Sequence, residues 1–482
     1  MPLILGTNSI KDTGYNVDNS LRFDDGSSDY LNQTFSSNGT RTTWTFSTWI
    51  KRANLGSDQR ILSCDDDASG NQDDFIKFLS GDTFQIGFYN SGFYGEKTTN
   101  RVFRDVSAWY HFVIVWDTTN GTADDRIRLY VNGVRETSFS SSTNPSSSAN
   151  SFINSTSYPL EIGRRGLNGT QYINGYLAET VFVDGTALDP TSFGEFDEDS
   201  SIWKPIDVSG LTFGTNGFYL DFENSGSLGA DLSGNGNNFT VNNLTAIDQS
   251  TDTCTLNYST LNPLATSSFN DLSEGSLKIT GNTATNDGET FSTFVMPNAT
   301  AKWYWELKCT NKYSGGNPKF GFIQAKRGFR LQNGGAGYGG GASGTLDIMV
   351  RPDGKTLENG STSGSAVIGT WDTGDILSFA LDSVNGAFYV GINGTWQTSG
   401  NPESGASKTG AVKTWTPTDS KCDDGQAVCI GSYNGSVTEA NFGSPSFAIS
   451  SGNTDADGYG NFEYSGPSGY YSLNTKNLAE YG

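Results

Sequence analysis

The sequence predicts an all-β protein, with two antiparallel β-sandwich (jelly-roll) domains joined by a connector rich in Gly, Asn and Ser. Three observations carry that reading. Apolar and aromatic residues alternate with polar ones at period two in short runs, the pattern of half-buried strands. These runs are bounded by turn-formers, and the 60 glycines and long Ser/Thr/Asn tracts supply the positive φ values that tight hairpins need. No amphipathic pattern longer than about two helical turns interrupts them.

The first region, residues 1–206, opens with "SLRFDDGSSDYL" and continues with "WTFSTWIKR", where Trp44, Phe46, Thr48 and Ile50 share one face and Thr45, Ser47 and Trp49 the other. The runs "FQIGFYN", "WYHFVIVWD", "RIRLYVNGV", "LEIGRR" and "GYLAETVFVDG" follow, each closed by Gly, Asn or Asp. Residues 207–263 then shift to turn-formers, as in "LDFENSGSLGADLSGNGNNFTVNNLT", and read as a connector or a long draped loop. The second region, residues 264–447, contains "AKWYWELKC", which puts Trp303, Trp305, Leu307 and Cys309 on one face and Lys302, Tyr304, Glu306 and Lys308 on the other. Residues 448–482 form a C-terminal tail. Two stretches, "WYHFVIVWDTTNG" and "ILSFALDSVNG", share one hairpin grammar of strand, Asp-containing turn and return strand.

Bulk properties narrow the function classes. A chain of 482 residues exceeds what one core serves, and its 30 Phe, 21 Tyr and 10 Trp offset a hydrophobic fraction of only 34%. The net charge of −22, from 52 acidic and 30 basic residues, repels phosphate backbones and anionic membranes, so neither nucleic acid nor membrane insertion is expected. No apolar run approaches the roughly 20 residues of a membrane span. "MPLILGTNSIKDTGY" is too short in its apolar part, and lacks the basic start, for a secretion signal. The five cysteines (Cys64, Cys254, Cys309, Cys422 and Cys429) have no metal-knuckle spacing, and free thiols made in a reducing compartment are expected ahead of a Cys422–Cys429 pair. Sequons such as Asn38-Gly-Thr then follow from composition.

Taken in order, "SLRFDDGSSDYL", "WTFSTWIK", "WYHFVIVWD", "RIRLYVNG", "LEIG" and "GYLAETVFVDG" resemble a laminin-G-like domain of the concanavalin A-like lectin/glucanase superfamily, over about 200 residues. "KWYWELK", "GDILSFALD", the strand ending "NGTW" and the closing "EANFG" resemble a SPRY domain, with "RLQNGGAGYGGGASG" in place of a compact loop. The phrases "FGEFDEDSSIWKPI", "GADLSGNGNNFTVNNL" and "NTDADGYGNFEYSGPSGYYSLNTKNLAEYG" are similar to phrases of virion structural proteins of marine tailed bacteriophages, with Asn474 before Thr475 where those tails often carry Cys. The resemblance implies a non-enzymatic virion protein, a tail-fibre-like or capsid-surface appendage made in a host bacterial cytoplasm. Its implied partners are other virion proteins, further copies of itself and a host-surface glycan, with no cofactor required.

Each candidate for chemistry stands beside a structural alternative. His111 is the chain's single histidine, and no carboxylate–nucleophile pair neighbours it in sequence. In laminin-G-like domains a histidine at this place belongs to the framework. Glucanases of the superfamily carry paired carboxylates on one strand, and "EFDED" gives Glu195, Asp197 and Asp199 at that spacing, so a polysaccharide depolymerase using Glu195 and Asp199 is the first rival reading. Calcium is the candidate metal: Asn453, Asp455 and Asp457 precede Gly458, and Asp65, Asp67 and Asp73 flank Gly70, but both loops lack the closing Glu, having Tyr464 and Ile76 there. A calcium-dependent secreted lectin or adhesin is accordingly the second rival. For sugar contact, "GFYNSGFYGEK" offers Tyr89, Asn90, Phe93 and Tyr94, and "YVGINGTWQ" offers Asn393 and Trp396; covering a core edge or a neighbouring subunit is the alternative for each. "GGAGYGGGASG" lacks the Lys-Ser/Thr of a phosphate loop.

Overall fold

The computed structural model describes residues 13–66, 69–282, 288–313, 318–325, 346–358 and 361–482. They divide into two compact units, residues 13–255 and 256–482. Both are built from antiparallel strands, as the alternation predicts. Asp67 and the "GGAGYGGGASG" segment lie outside the described residues.

In the first unit two eight-stranded sheets face each other. The first runs, edge to edge, Val134–Arg135, Ile127–Val131, Trp109–Asp117, Thr43–Arg52, Gly175–Asp184, Ser20–Phe23 and Gln249–Ser250, with Phe218–Leu220 also paired to Gly175–Asp184. The second runs Phe139–Thr143, Phe93–Val102, Thr83–Asn90, Gln72–Phe78, Gln59–Asp65, Leu160–Ile162, Tyr30–Gln33 and Thr240–Asn242. One residue in two from each sheet enters the core, among them Phe46, Ile50, Phe112 and Trp116 from the first and Ile76, Phe84, Ile86 and Phe88 from the second. Phe84 and Phe112 stack across the layers at 4.3 Å, an offset aromatic contact that adds to simple area burial.

The stretch read as a connector, 207–263, does not behave as one. Phe218–Leu220, Thr240–Asn242 and Gln249–Ser250 each add a strand to the first unit, and the boundary between units falls after Thr255. The polar residues there hold backbone rather than shed it into solvent. Asn235 and Asn237 both donate from Nδ2 to the carbonyl of Gly217, at 2.9 Å each, and the Asp231 carboxylate accepts from the N–H groups of Tyr219, Ser233 and Asn237. Side-chain amides therefore do here what a sheet ladder does elsewhere, satisfying main-chain groups that burial would leave unpaired.

The second unit pairs a seven-stranded sheet (Leu261–Thr266, Gly288–Ser292, Gln426–Ser432, Lys319–Gln324, Ile348–Val350, Thr356–Glu358, Ser361–Thr362) with an eight-stranded one. The latter runs Asn270–Ser273, Lys278–Gly281, Val437–Asn441, Lys302–Asn311, Ile376–Asp382, Ala387–Ile392 and Thr395–Trp396, with Lys413–Thr414 on Ala387–Ile392. Trp303, Trp305, Leu307 and Cys309 face the core, as their spacing predicts. Tyr304 and Glu306, on the opposite face, are buried as well, because the C-terminal tail, residues 448–482, lies over them. Phe462 and Tyr470 pack with Tyr304, Leu473 and Leu478 enter the main core, and the chain closes in a helix, Thr475–Tyr481, capped by the Asn474 side chain accepting from the Asn477 N–H at 2.8 Å.

All five cysteines are free thiols, four of them buried. Among the described residues no helix is long and apolar enough to cross a membrane.

Candidate functional site

His111 sits on the outward face of the first sheet, buried under the segment that follows that sheet's long central strand. Trp203 Nε1 donates to His111 Nδ1 at 2.9 Å, and Nε2 lies 2.8 Å from Ser47 Oγ. The ring stacks on Trp49 at 4.7 Å, and Trp203 lies edge to edge with it, nearly coplanar, its centroid 6.0 Å away. Since Nδ1 accepts, the neutral ring carries its proton on Nε2 and donates it to Ser47. A serine nucleophile needs the reverse polarity, with Nε2 accepting from the hydroxyl and a carboxylate at Nδ1. Burial pushes the imidazole down to about 3, so it stays uncharged at neutral pH. His111 is framework, held by two partners, Ser47 and Trp203, that sequence proximity does not reveal.

The loop aromatics of the first unit resolve by parity. Asp65 pairs with Asp73, Asp73 with Tyr89 and Tyr89 with Phe93, so these four share the outward face of the second sheet. Ser63, Phe75, Gly87 and Glu96 form the neighbouring row on that face. Phe93 is 42% exposed, its ring 5.3 Å from Tyr89 and 6.3 Å from Phe75, edge-on to both. Phe75 lies flat over Gly87, where an added Cβ would come within 2.3 Å of the ring; only glycine fits beneath it. Asn90 is exposed at the hairpin tip. Tyr94, one residue after Phe93, points the other way: it packs on Trp116 and donates its hydroxyl to Asp74 at 2.9 Å, so it serves the core and not the surface.

Charged groups border the aromatic strip in fixed pairs. Arg60 stacks on Phe75 at 4.3 Å and clamps Asp73 through both terminal nitrogens, at 2.6 and 2.7 Å. Arg165 spans Asp65 and Asp73 at 3.2 and 3.4 Å. Lys77 lies 5.1 Å from the Phe75 ring and bonds Asp58 at 2.9 Å, and Gln85 donates to Glu96 at 2.8 Å. Phe75, Arg60, Asp65 and Asp73 are buried and brace the surface; Phe93, Tyr89 and the exposed Asn90 above them offer the apolar face and the polar partner that a pyranose needs. The sequence motif supplied Tyr89 and Phe93. It missed Phe75, whose signal was the outward spacing of Asp73, Phe75 and Lys77 within "QDDFIKF", and it missed Arg60 and Arg165, which other segments bring to that face.

The remaining candidates are not placed for ligands. Asn393 (φ 48°) and Gly394 (φ 77°) make a hairpin turn, and the Asn393 side chain is used up donating to Asp375 at 2.7 Å and accepting from the Ile376 N–H at 3.0 Å. Trp396 lies over Gly391 and packs against the Tyr304 and Tyr389 cluster. At the first calcium candidate the Asp455 carboxylate already accepts from the N–H groups of Asp457, Tyr459 and Ser472, from the Ser472 hydroxyl and from Asn477 Nδ2. Asn453 bonds Ser451, Ser465 and the Glu463 carbonyl, and Asp457 accepts from Tyr481. With these lone pairs filled by protein donors, the turn does not fit a cation that needs several free oxygens. At the second candidate, Asp65 and Asp73 are engaged by the arginines described above. Among the described residues no group of three or more His, Cys, Asp or Glu side chains is arranged to hold a metal ion.

Glu195 and Asp199 do not oppose each other across a cleft. Glu195 is exposed on the short Gly194–Phe196 strand and meets Lys204 at 3.4 Å; Asp197 caps the turn through the Ser200 N–H at 2.9 Å; Asp199 is exposed beyond it.

Residues 25–191 match the family described as the concanavalin A-like lectin/glucanases superfamily. No curated protein sequence matches the chain. Similar solved structures include the SPRY domain of human HERC1, 12% identical, covering 37% of this chain and 96% of that one with a TM-score of 0.26. A heptameric SAP-like pentraxin from Limulus polyphemus is 19% identical and covers 36% of this chain and 78% of its own, with a TM-score of 0.27. A Bacteroides ovatus protein provisionally assigned to carbohydrate binding is 15% identical, covering 47% of this chain and 59% of that one, with a TM-score of 0.30.

Proposed function

We propose that the first unit is a non-catalytic carbohydrate-binding module, within a virion structural protein that acts as a tail-fibre-like or capsid-surface appendage. The observation that carries the binding role is the outward pair of rings Tyr89 and Phe93, the latter 42% exposed, seated on buried Phe75 and braced by the Arg60–Asp73 and Arg165–Asp65 pairs. The superfamily match over residues 25–191 supports it, since that superfamily includes lectins. The non-catalytic reading is supported by the site's chemistry: a retaining glycosidase needs one protonated carboxyl facing one carboxylate at roughly 5 Å, whereas Asp65 and Asp73 both serve as acceptors for arginine. The virion role rests on the phrases around Trp203, Asn235 and Tyr471 that resemble phage structural proteins. With it go the proposed host-surface glycan, virion neighbours, self-association and origin in a bacterial cytoplasm.

The test is retention of the full chain on immobilised capsule and O-antigen polysaccharides of marine bacteria, compared with the Phe93→Ala variant. Removing the exposed ring is expected to weaken binding about tenfold, ~1.4 kcal/mol. Binding is expected to persist in a chelator, because the two acidic loops are satisfied by protein donors. Equal retention of variant and wild type would remove the strip as the site; release of reducing sugar would restore the depolymerase reading.

A further inference from the structure

A buried pair on the first sheet has no part in the carbohydrate strip. Lys51 lies on the Thr43–Arg52 strand, facing away from the core; Asp252 follows Gln249–Ser250, the strand that closes the first unit. Lys51 Nζ is 2.6 Å from Asp252 Oδ2, and each side chain is 1% exposed. Trp49, Trp109 and Tyr176 cluster on this face, with the Tyr176 ring centroid 5.8 Å from Nζ. One contact aims the carboxyl and another fixes the backbone that carries it. Trp109 Nε1 donates to its second oxygen, Oδ1, at 3.2 Å, and Ser20 Oγ donates to the Asp252 backbone carbonyl at 2.6 Å.

An ion pair in such surroundings loses the hydration of both charges, which favours passing the proton from the ammonium to the carboxylate and leaving a neutral amine beside a neutral acid. Burial lowers the Lys51 affinity for its proton, against the opposing pull of Asp252 and Asp105. A neutral amine in contact with a carboxylic acid whose carbonyl is already hydrogen-bonded is poised for condensation, with attacking and attacked groups held at contact distance.

We propose that Lys51 and Asp252 become joined by an intramolecular amide between their side chains, a covalent staple that ties the Thr43–Arg52 strand to the segment closing the unit. The Nζ lone pair attacks Cγ; the charge that gathers on Oδ1 is met by the Trp109 N–H, in the manner of an oxyanion hole. A proton passes from Nζ to Oδ2, the Cγ–Oδ2 bond breaks, and that oxygen leaves as water. No oxidant, reductant or co-reactant is consumed. The closed loop spans 201 positions of sequence, in a protein whose cysteines form no disulfide, so the staple removes much denatured-chain freedom.

Mass spectrometry of the purified full chain tests this without any substitution. The expected result is a protein lighter than its sequence by one water, and a tryptic branched peptide that joins the segment around Lys51 to the segment around Asp252, with cleavage at Lys51 lost. The Lys51→Arg and Asp252→Ala variants are expected to return to full mass, and Trp109→Phe to slow closure during refolding. Separate, unlinked Lys51 and Asp252 peptides from the wild-type chain would overturn the proposal and leave the pair a buried ion pair only.

Discussion

Trp203 decides the chemistry of His111. Its indole N–H occupies Nδ1, so the imidazole can only donate from Nε2 to Ser47, and protonating the ring would set two donors against each other in a buried site. The histidine's proton affinity in the fold, down to about 3, lies below that of an unfolded histidine near 6.5. Its contribution to stability is therefore complete above about pH 6.5 and is lost as pH falls toward 3, at ~1.4 kcal/mol per pH unit. Urea denaturation of the full chain beside His111→Gln should show the wild type's stability relative to the variant shrinking by ~1.4 kcal/mol per pH unit as pH falls from about 6.5 to 4, a difference from which the slopes of other groups cancel.

Glu179 behaves oppositely. It sits at a β-bulge with φ 47°, accepts from the Tyr219 hydroxyl at 2.9 Å, and burial pushes it up to about 8. Its folded form keeps a proton that the unfolded chain releases near pH 4.5, so stability falls as pH rises from about 4.5 to 8. Glu179→Gln retains an acceptor for Tyr219, and its stability relative to wild type should rise by ~1.4 kcal/mol per pH unit across that window in urea denaturation. The sequence made His111 legible as a framework residue, because no carboxylate and nucleophile stood near it. It hid the partner, 92 positions away, and it gave no sign that Glu179 would leave the regular strand geometry.

At the scale of single elements, alternation was a reliable guide and composition a poor one. Trp303, Trp305, Leu307 and Cys309 turn inward as their spacing requires, and the opposite directions of Phe93 and Tyr94 follow from the same rule. Segments rich in Gly, Asn and Ser read as loops because a propensity argument sees only turn-forming residues. It does not see that Asn235 and Asn237 can grip a distant carbonyl. The C-terminal segment is held in the same way. The buried Glu306 carboxylate accepts from the Tyr464 N–H at 2.8 Å, the Glu463 N–H at 3.0 Å and the Tyr304 hydroxyl at 2.9 Å, and Asp455 gathers its own five donors. These two acids act as pins. Asp455→Ala leaves the Ser472 N–H and hydroxyl buried without the acceptor they share, a loss of about 2–3 kcal/mol. Limited proteolysis of the full chain should then cut within residues 448–482, where the wild type resists.

For the whole molecule, the placement of the unit boundary has a direct consequence for dissection. Residues 13–255 contain every strand of the first two sheets, whereas a fragment stopped at residue 206 lacks Phe218–Leu220, Thr240–Asn242 and Gln249–Ser250, together with the Asp252 partner of Lys51. The longer fragment is expected to be monodisperse, with protected amides by hydrogen exchange; the shorter one is expected to aggregate through its uncovered strands. Sequence pattern placed both sandwiches in the right order along the chain. Their limits escaped it because the residues that finish each unit lie far from the rest of its sheet in sequence.

The late position of Phe462, Tyr470, Leu473 and Leu478 also sets a timetable. A ribosome releases the strands of the second unit well before it releases the residues that seal their outer face. Until Leu478 emerges, the nascent sandwich carries Tyr304 and the Glu306 carboxylate uncovered, a state that holding chaperones would recognise and that rapid completion of synthesis would shorten.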